Sequence, residues 1–291
     1  MKKRELGVIE DTLFVPMLGR IYASEHFSNI LYDAKALELK NKLPAGVIGN
    51  DTQTQYTYLA SASRCANMDR YIFDFLKRKK NGIIVELGCG LETTYYRNDD
   101  GCTMWYEIDL PEVIEYRKTL LPETERQRYV ACDAFEYDWI DLIRKDHPDV
   151  PLLVTASGLF YYFEEEKILD LLRKLEDYGD IEVLFDAVNK SGMVMMKKKH
   201  MKTVGHEDAK MYFYVDSAAG LAAKIGGKTK VLAEEPFYRH ISKKGLSLST
   251  RLSMIISDRL SMVKMIHLSL CSESMKSCVR ETCLECKELW R

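Results

Sequence analysis

The 291-residue sequence has no excess of basic charge, since 42 Lys and Arg residues stand against 44 Asp and Glu residues and the formal net charge is -2. Nucleic-acid-binding surfaces usually rest on such an excess, so the composition argues against a nucleic-acid partner. The sequence also lacks any window of about 18 uncharged apolar residues, the length that a membrane-spanning helix requires. Its N terminus, MKKRELGVIEDTLFV, has no apolar segment before a small-residue cleavage site, so no secretory signal is expected. These absences predict a cytoplasmic protein whose partner is a small molecule or another protein.

The eight cysteines are then expected to be thiols, because the cytosol keeps them reduced. Four of them, Cys271, Cys278, Cys283 and Cys286, crowd the last 21 residues, and the final pair forms a C-x-x-C. A tetrathiolate zinc site usually has two such pairs across a loop, whereas the first spacing here is C-x6-C. We therefore predict a cysteine-rich tail over 271–291 with free thiols and no metal site.

Hydrophobic periodicity divides the rest of the chain into two regions. Residues 1–80 carry apolar residues at helical spacing, over 28–40 and 58–80, and predict a helical N-terminal cap. Over 81–270, short apolar runs alternate with helical patterns, which is typical of successive βαβ units. The predicted strands are 82–87, 103–108, 128–132, 151–156, 181–187, 230–235 and 262–270. The predicted helices after the cap are 111–121, 135–145, 164–178 and 217–225, and 190–202 is a Met- and Lys-rich amphipathic stretch. The pattern predicts an α/β fold of the Rossmann-like type, with a mainly parallel seven-stranded sheet and helices on both faces.

The strongest local signal is the run VELGCG, in which an apolar strand enters a G-x-G turn at Gly88-Cys89-Gly90. Such a turn lets a ligand approach the backbone, and ligands of open α/β sheets bind beyond the carboxyl ends of the strands. A dinucleotide fingerprint would continue with a third glycine, but Thr93 stands there. Asp109 follows 21 residues after Gly88, the distance at which a carboxylate accepts hydrogen bonds from ribose hydroxyls. The combination favours an adenosyl ligand without a pyrophosphate, such as S-adenosylmethionine, although the turn alone is also compatible with a purely structural role.

Two acidic residues have a second interpretation. Asp109 precedes Leu110-Pro111, a sequence typical of a helix start, so it is equally a candidate N-cap. The two roles are compatible if capping leaves one carboxylate oxygen free. Asp133 follows the third predicted strand and is a candidate for the adenine amino group or for the cap of the next helix. The spacing leaves these alternatives open.

Three segments carry a family resemblance: ELGCGLETTYYR, WYEIDLPEVIEYRKTLLPETERQRYVACDA and SGLFYYFEEEKILDLL. Their order and spacing resemble the leucine carboxyl methyltransferase and tetracenomycin-type polyketide O-methyltransferase family, over about residues 58 to 270. The resemblance implies a class I methyltransferase fold and S-adenosylmethionine as the cofactor. It implies that Gly88 and Gly90 contact the methionine part of the cofactor, Asp109 the ribose and Asp133 the adenine. It also implies a salt bridge from Arg64 to the cofactor carboxylate, where the sequence alone would indicate a solvated helix charge.

One position departs from the family pattern. The family often has a glutamate where this sequence has Ser157, so the contact to the cofactor amino group is expected to be weaker or rebuilt. The candidate cofactor-binding residues are Arg64, Glu86, Gly88, Cys89, Gly90, Asp109, Leu110, Asp133, Ala134 and Ser157.

The resemblance implies O-methylation of a hydroxyl or carboxyl group on a small, polyketide-like molecule. The alternatives are carboxyl methylation of a protein C terminus and a non-catalytic module that only binds the cofactor. Methyl transfer from a sulfonium needs mainly in-line positioning and exclusion of water. A hydroxyl acceptor would in addition need a proton acceptor, for which we assign no residue among the candidates His26, His200, His206 and His240. The aromatic residues at 160–163 and the methionines within 190–202 are candidates for the acceptor pocket or for ordinary core packing.

Overall fold

The fold is described from a computed structural model. The described residues are 7–44, 47, 53–203, 211–226 and 229–270. The α-helices there are α1 (Gly7–His26), α2 (Ala34–Leu39), α3 (Gln55–Arg78), α4 (Thr94–Asn98), α5 (Pro111–Leu120), α6 (Asp138–Asp146), α7 (Glu165–Leu175), α8 (Lys190–Thr203), α9 (Ala218–Ile225) and α10 (Leu248–Arg259). The strands are β1 (Ile83–Leu87), β2 (Trp105–Asp109), β3 (Gln127–Ala131), β4 (Leu152–Ala156), β5 (Ile181–Val188), β6 (Thr229–Pro236) and β7 (Val263–Leu270). Short 3-10 segments lie at Lys40–Lys42, Phe160–Tyr162 and Glu176–Tyr178.

The strands form one seven-stranded sheet in the order β3-β2-β1-β4-β5-β7-β6. The first five are parallel, while β7 runs antiparallel to both β5 and β6. The strand order reverses between β1 and β4, and such a switch point opens a crevice at the carboxyl ends of the strands. The predicted parallel core with two late strands is therefore confirmed.

Alternate residues of β1 belong to two different hydrophobic cores. Val85 packs with Trp139 and Ile168 from the helices on one face, whereas Ile84 packs with Leu59 and Phe75 of α3 on the other. Because both faces are covered by helices, the central strands β1 and β4 are mostly apolar rather than alternating. This burial fixes the carboxyl end of β1, and with it the glycine turn, in the middle of the molecule.

The helices before β1 differ from the two predicted segments, because α2 covers only part of 28–40 and a further helix, α1, precedes it. Helix α1, which we did not predict, packs against α3 at Gly19, where an added Cβ would lie 2.8 Å from the Ser61 Cβ. The glycine therefore permits a close helix crossing, although it weakens the local helix signal. Helix α3 begins where the Thr54 hydroxyl accepts a hydrogen bond from the Thr57 amide at 3.2 Å, the usual role of a threonine N-cap.

Helix α10 was also missed, and its residue pattern explains why. Its apolar side chains Leu248, Leu252 and Ile256 are exposed, whereas Thr250 and Ser257 are among its buried residues. The face that packs inward therefore carries no apolar stripe that a periodicity argument would detect.

Two further expectations concern the ends of the chain and its longest helices. The predicted cysteine tail, 271–291, lies outside the described residues. In the part of the chain that the structure describes, no helix combines the length and the apolarity that a bilayer crossing requires.

Candidate functional site

A cleft of about 430 Å³ opens at the carboxyl ends of β1, β2 and β4. Seven of the ten predicted site residues line it: Arg64, Gly88, Cys89, Gly90, Asp109, Leu110 and Ser157. These residues come from α3 and from the segments that follow three different strands, so only the folded sheet brings them together. The crevice lies where the switch in strand order predicts a ligand site.

The glycine turn presents bare backbone to this cleft. Gly88 has φ +63° and Gly90 has φ +47°, a left-handed region in which side chains other than glycine are strained. A Cβ on Gly88 would lie 2.7 Å from Leu159 Cδ1, and one on Gly90 would lie 3.1 Å from Leu13 Cδ2. Both glycines are therefore required for the shape of the turn and for access to it.

Thr93, which replaces the third glycine of a dinucleotide motif, is buried and its hydroxyl donates to Asp33. Arg97 Nη1 donates to the Thr93 hydroxyl oxygen at 3.0 Å. The helix that follows, α4, has only five residues. The Thr93 side chain is thus bonded to partners within the protein.

Asp109 ends β2 at the floor of the cleft. Its Oδ2 accepts the Gly90 amide at 2.7 Å and its Oδ1 accepts the Leu110 amide at 2.8 Å. The N-cap of α5 is Leu110, with Pro111 at the first helical position, so the predicted N-cap role of Asp109 is wrong. Both carboxylate oxygens also accept a backbone amide, contrary to our expectation that one would be free of such bonds. Each oxygen retains a second lone pair for a ligand hydroxyl.

Glu86 does not line the cleft but lies buried behind it in β1. It is the register partner of Glu107 in β2, so the two carboxyl groups lie side by side. Burial, reinforced by the neighbouring Glu107 and Glu92, raises the pKa of Glu86 to about 8. The group is thus protonated at neutral pH, because a carboxylate inside the sheet would cost solvation free energy.

Arg64 lies beside the cleft in a buried polar cluster. Its Nε donates to Asp186 Oδ2 at 2.7 Å. The Tyr161 hydroxyl donates to the same oxygen at 2.6 Å, and the Gly158 amide donates to Asp186 Oδ1 at 2.7 Å. Asp186, which we did not predict, therefore fixes the guanidinium that faces the cleft. Its position at the carboxyl half of β5 is the signal that sequence reasoning overlooked.

Glu92 and Arg20 also line the cleft, and neither was predicted. Arg20 Nη1 donates to Glu92 Oε1 at 2.6 Å, and Arg20 Nη2 donates to the Leu91 carbonyl at 2.6 Å. The Glu92 side chain remains 14% exposed. A carboxylate therefore stands at the cleft even though Ser157 offers none, and it depends on a helix far away in sequence.

Asp133 and Ala134 follow β3 and are not part of the cleft wall as described. Asp133 Oδ1 accepts the Phe135 amide at 3.0 Å, and the next helix, α6, begins at Asp138 with Tyr137 as its N-cap. The alternative that Asp133 caps that helix is therefore wrong. Ala134 is buried, and its carbonyl accepts the Trp139 indole N–H at 3.0 Å. Both residues neighbour the site, because the Cys132 amide donates to the Asp109 carbonyl at 3.0 Å.

A second cavity, of about 290 Å³, adjoins the cleft. Arg64, Tyr161 and Met196 line both. The remaining wall of the second cavity is mostly aromatic and apolar: Val15, Gln53, Tyr56, Thr57, Ala60, Ser61, Met211, Phe237, Tyr238 and Val263. Such a chamber suits an organic molecule, with one polar group directed at the junction.

The residues expected around an acceptor are divided between the cavities and the core. Tyr161 and Met196 lie at the junction, while Phe160 and Met193 are buried in hydrophobic clusters. Among the candidate histidines, His26 packs against Tyr22 with ring centroids 4.8 Å apart. His240 lies 3.5 Å from Glu235, and neither ring lines the two cavities. The His200 side chain and His206 lie outside what the structure describes.

The cleft fits S-adenosylmethionine by its chemistry. The turn accepts no Cβ on the ligand side, Asp109 offers lone pairs at the end of the neighbouring strand, and a guanidinium held by Asp186 suits a carboxylate. The adjoining apolar cavity offers space for a molecule that accepts the methyl group. These features correspond to the adenosyl part, the amino-acid part and the transferable methyl group of S-adenosylmethionine.

Comparison with known sequences gives the family. The sequence profile described as leucine carboxyl methyltransferase matches residues 3–176. Tetracenomycin polyketide synthesis O-methyltransferase TcmP of Streptomyces glaucescens is 28% identical over 182 residues, which cover 62% of this chain and 66% of that protein, just under two thirds. The S-adenosyl-L-methionine-dependent methyltransferase dpfgK of Gibberella zeae is 23% identical over 239 residues, which cover 75% of this chain and 79% of that protein. The profile match begins well before residue 58, so it includes α1 and α2.

Solved structures agree on the fold. A DUF574 family protein from Streptomyces avermitilis superposes with a TM-score of 0.55 at 13% identity, covering 88% of this chain and 97% of that chain. A putative methyltransferase from Thermobifida fusca superposes with a TM-score of 0.52 at 12% identity, covering 87% and 93%. At these identities the likeness shows the fold alone. The solved structures thus confirm the predicted Rossmann-like class I fold, and the sequence comparisons confirm the predicted family and the predicted cofactor class.

Proposed function

Because the chain belongs to the leucine carboxyl methyltransferase family, we propose that it is an S-adenosylmethionine-dependent O-methyltransferase acting on a small organic molecule. The acceptor would be a hydroxyl or carboxyl group on a mostly apolar, aromatic-sized scaffold. The observation that carries this proposal is the junction of the two cavities at Arg64, Tyr161 and Met196. A module that only binds the cofactor has no need of a second chamber at that point.

The proposed cofactor site consists of the ten residues identified from the sequence. Gly88, Cys89 and Gly90 would hold the amino-acid portion through backbone groups, with Arg64 binding the carboxylate. Asp109 and Leu110 would hold the ribose. Asp133 and Ala134 would approach the adenine, an assignment supported by their position directly after the strand that pairs with β2. Glu86 would support the glycine turn from its buried position in β1, and Ser157 would form part of the cleft wall.

Glu92 is the residue proposed to replace the missing family glutamate at Ser157. Its carboxylate lines the cleft beside the glycine turn, and Arg20 holds it by a hydrogen bond of 2.6 Å. A cationic amino group binds a carboxylate far better than a serine hydroxyl, because the hydrogen bond is charge-assisted.

The bound cofactor supplies an activated methyl group, so this chain's own residues have mainly positioning to perform. The apolar walls from Phe237, Val263 and Met196 exclude water from the acceptor. Tyr161 cannot serve as a base, because burial and the neighbouring Asp186 raise its pKa well above the ordinary value. It remains a hydrogen-bond donor, already committed to Asp186 at 2.6 Å.

The helices before β1 act as a cap over both cavities in this proposal. Leu13 and Pro16 of α1 line the cleft, and Ala60 and Ser61 of α3 line the second cavity. This supports a division of the chain into a helical cap at 1–80 and a methyltransferase domain at 81–270. Access of the acceptor then depends on the cap rather than on the sheet.

The test is methyl transfer from radiolabelled S-adenosylmethionine to three acceptor sets: aromatic phenols, aromatic carboxylic acids and peptides with a free C-terminal carboxyl. We expect label in a small-molecule set and none in the peptides. The matched variant is Ala60→Phe, which places a ring in the second cavity only. It should abolish transfer while leaving S-adenosylhomocysteine binding unchanged. Label in the peptides alone, or transfer unaffected by Ala60→Phe, would contradict the proposed acceptor site.

A further inference from the structure

Gly90 is held at both of its backbone groups by charged side chains. Its amide donates to Asp109 Oδ2 at 2.7 Å, and its carbonyl accepts Arg117 Nη1 at 2.9 Å. A residue with φ +47° and no side chain has a wide choice of conformations. The two bonds remove that choice, so the orientation of the peptide groups in the turn is fixed before any ligand arrives.

Arg117 reaches the turn from α5 without entering the cleft. Its side chain is completely buried, and it is absent from the cleft wall. The guanidinium carbon lies 5.0 Å from the centroid of the Tyr129 ring. Arg117 is therefore inaccessible to a ligand, and it reaches the glycine turn by its hydrogen bond to the Gly90 carbonyl.

The charge of Arg117 is balanced by Glu107, which is also completely buried and forms an ion pair with it. Glu107 Oε1 further accepts the Gln127 side-chain amide at 2.8 Å. The arginine is thus anchored to β2 and β3 through one carboxylate, and its Nη1 extends to the loop after β1. Since one arginine faces the two carboxyl groups Glu86 and Glu107, the neutral state of Glu86 keeps this cluster balanced.

Resting on the proposed function, we propose that Arg117 is a positioning residue for the cofactor: it fixes the Gly90 peptide so that the glycine turn has its binding conformation in the free protein. Without this bond the Gly90 carbonyl turns toward other donors, and the turn has to be reordered on binding. The apparent affinity for the cofactor then equals the intrinsic affinity multiplied by the fraction of molecules whose turn has the binding conformation.

The experiment measures S-adenosylhomocysteine affinity by calorimetry in the wild type, Arg117→Lys and Arg117→Met. Lysine keeps the charge beside Glu107 but cannot bridge Glu107 and the Gly90 carbonyl as a planar fork does. We expect Arg117→Met to bind about tenfold more weakly, the usual effect of losing a hydrogen bond from a charged group, and Arg117→Lys to fall between it and the wild type.

The control is Arg144→Met, made on a half-buried arginine that holds loop carbonyls and does not line the cleft. Arg144 Nη1 donates to the Val150 carbonyl at 2.6 Å and to the His147 carbonyl at 3.2 Å. Its loss should lower the melting temperature and leave S-adenosylhomocysteine affinity unchanged, which separates positioning from general destabilisation.

The inference is overturned if Arg117→Lys and folded Arg117→Met both bind S-adenosylhomocysteine with the affinity of the wild type. If Arg117→Met does not fold, wild-type affinity in Arg117→Lys alone overturns it. A wild-type protein that does not bind S-adenosylhomocysteine contradicts the proposed function instead, so the two failures are distinguishable.

Discussion

Replacing Gly88 by alanine tests whether the glycine turn serves a ligand as well as the fold. The residue has φ +63°, and an alanine there pays a left-handed strain of about 1–2 kcal/mol. The added Cβ would also lie 2.7 Å from Leu159 Cδ1, so the Leu159 side chain, which lines the cleft, must move. We expect a lower free energy of unfolding in urea and an affinity for S-adenosylhomocysteine at least about tenfold weaker, or roughly 1.4 kcal/mol.

Gly101 provides the matched control. Its φ of +78° imposes the same kind of strain, but a Cβ there would meet nothing within 4 Å. Gly101→Ala should therefore lose about 1–2 kcal/mol of stability and bind S-adenosylhomocysteine as the wild type does. If Gly88→Ala and Gly101→Ala bind equally well, the turn has only a structural role and the reasoning is refuted.

Two further predictions concern buried and cleft-lining carboxyl groups. Glu86 has a folded-state pKa of about 8, well above its unfolded value. Its neutral form therefore contributes stability that is lost as the pH rises from about 4.5 to about 8. The charged groups that face it are Glu107, Glu92 and Arg117. Glu86→Gln should reduce the fall in the free energy of unfolding, measured in urea, over that pH range by an amount of the order of a few kcal/mol, and equal slopes in both proteins would disprove it. Asp109→Ala should weaken S-adenosylhomocysteine binding about tenfold in calorimetry, whereas an equal loss in Asp133→Ala would support the adenine contact and no loss would remove it.

The sheet could be predicted from the sequence because four of its five parallel strands, β1, β2, β4 and β5, are buried along nearly their whole length. Strands β1 and β4 are short, mostly apolar runs that are followed directly by Gly88 and Ser157, a local signal that tertiary packing does not alter. Helices α1 and α10 could not be predicted in this way. Gly19 weakens the helix signal of α1 to permit a close crossing, and α10 buries polar residues such as Thr250 instead of an apolar stripe.

The site was predictable in part for a similar reason. Gly88 and Gly90 follow the end of β1, and Asp109 is the last residue of β2. Because the strands position these residues, their spacing along the chain indicates their place in the crevice. Asp186 and Glu92 depend on contacts with Arg64 and Arg20, which come from distant helices, and no local pattern announces such pairs. The cap assignments failed at Asp109 because the helix after β2 begins one residue later, at the proline.

The measurement that tests the central claim most directly is titration of the wild-type protein with S-adenosylhomocysteine, with displacement by S-adenosylmethionine. We expect one site per chain and a dissociation constant in the low micromolar range, about -8 kcal/mol. Absence of heat, together with absence of displacement, would contradict the account of this cleft as a cofactor site.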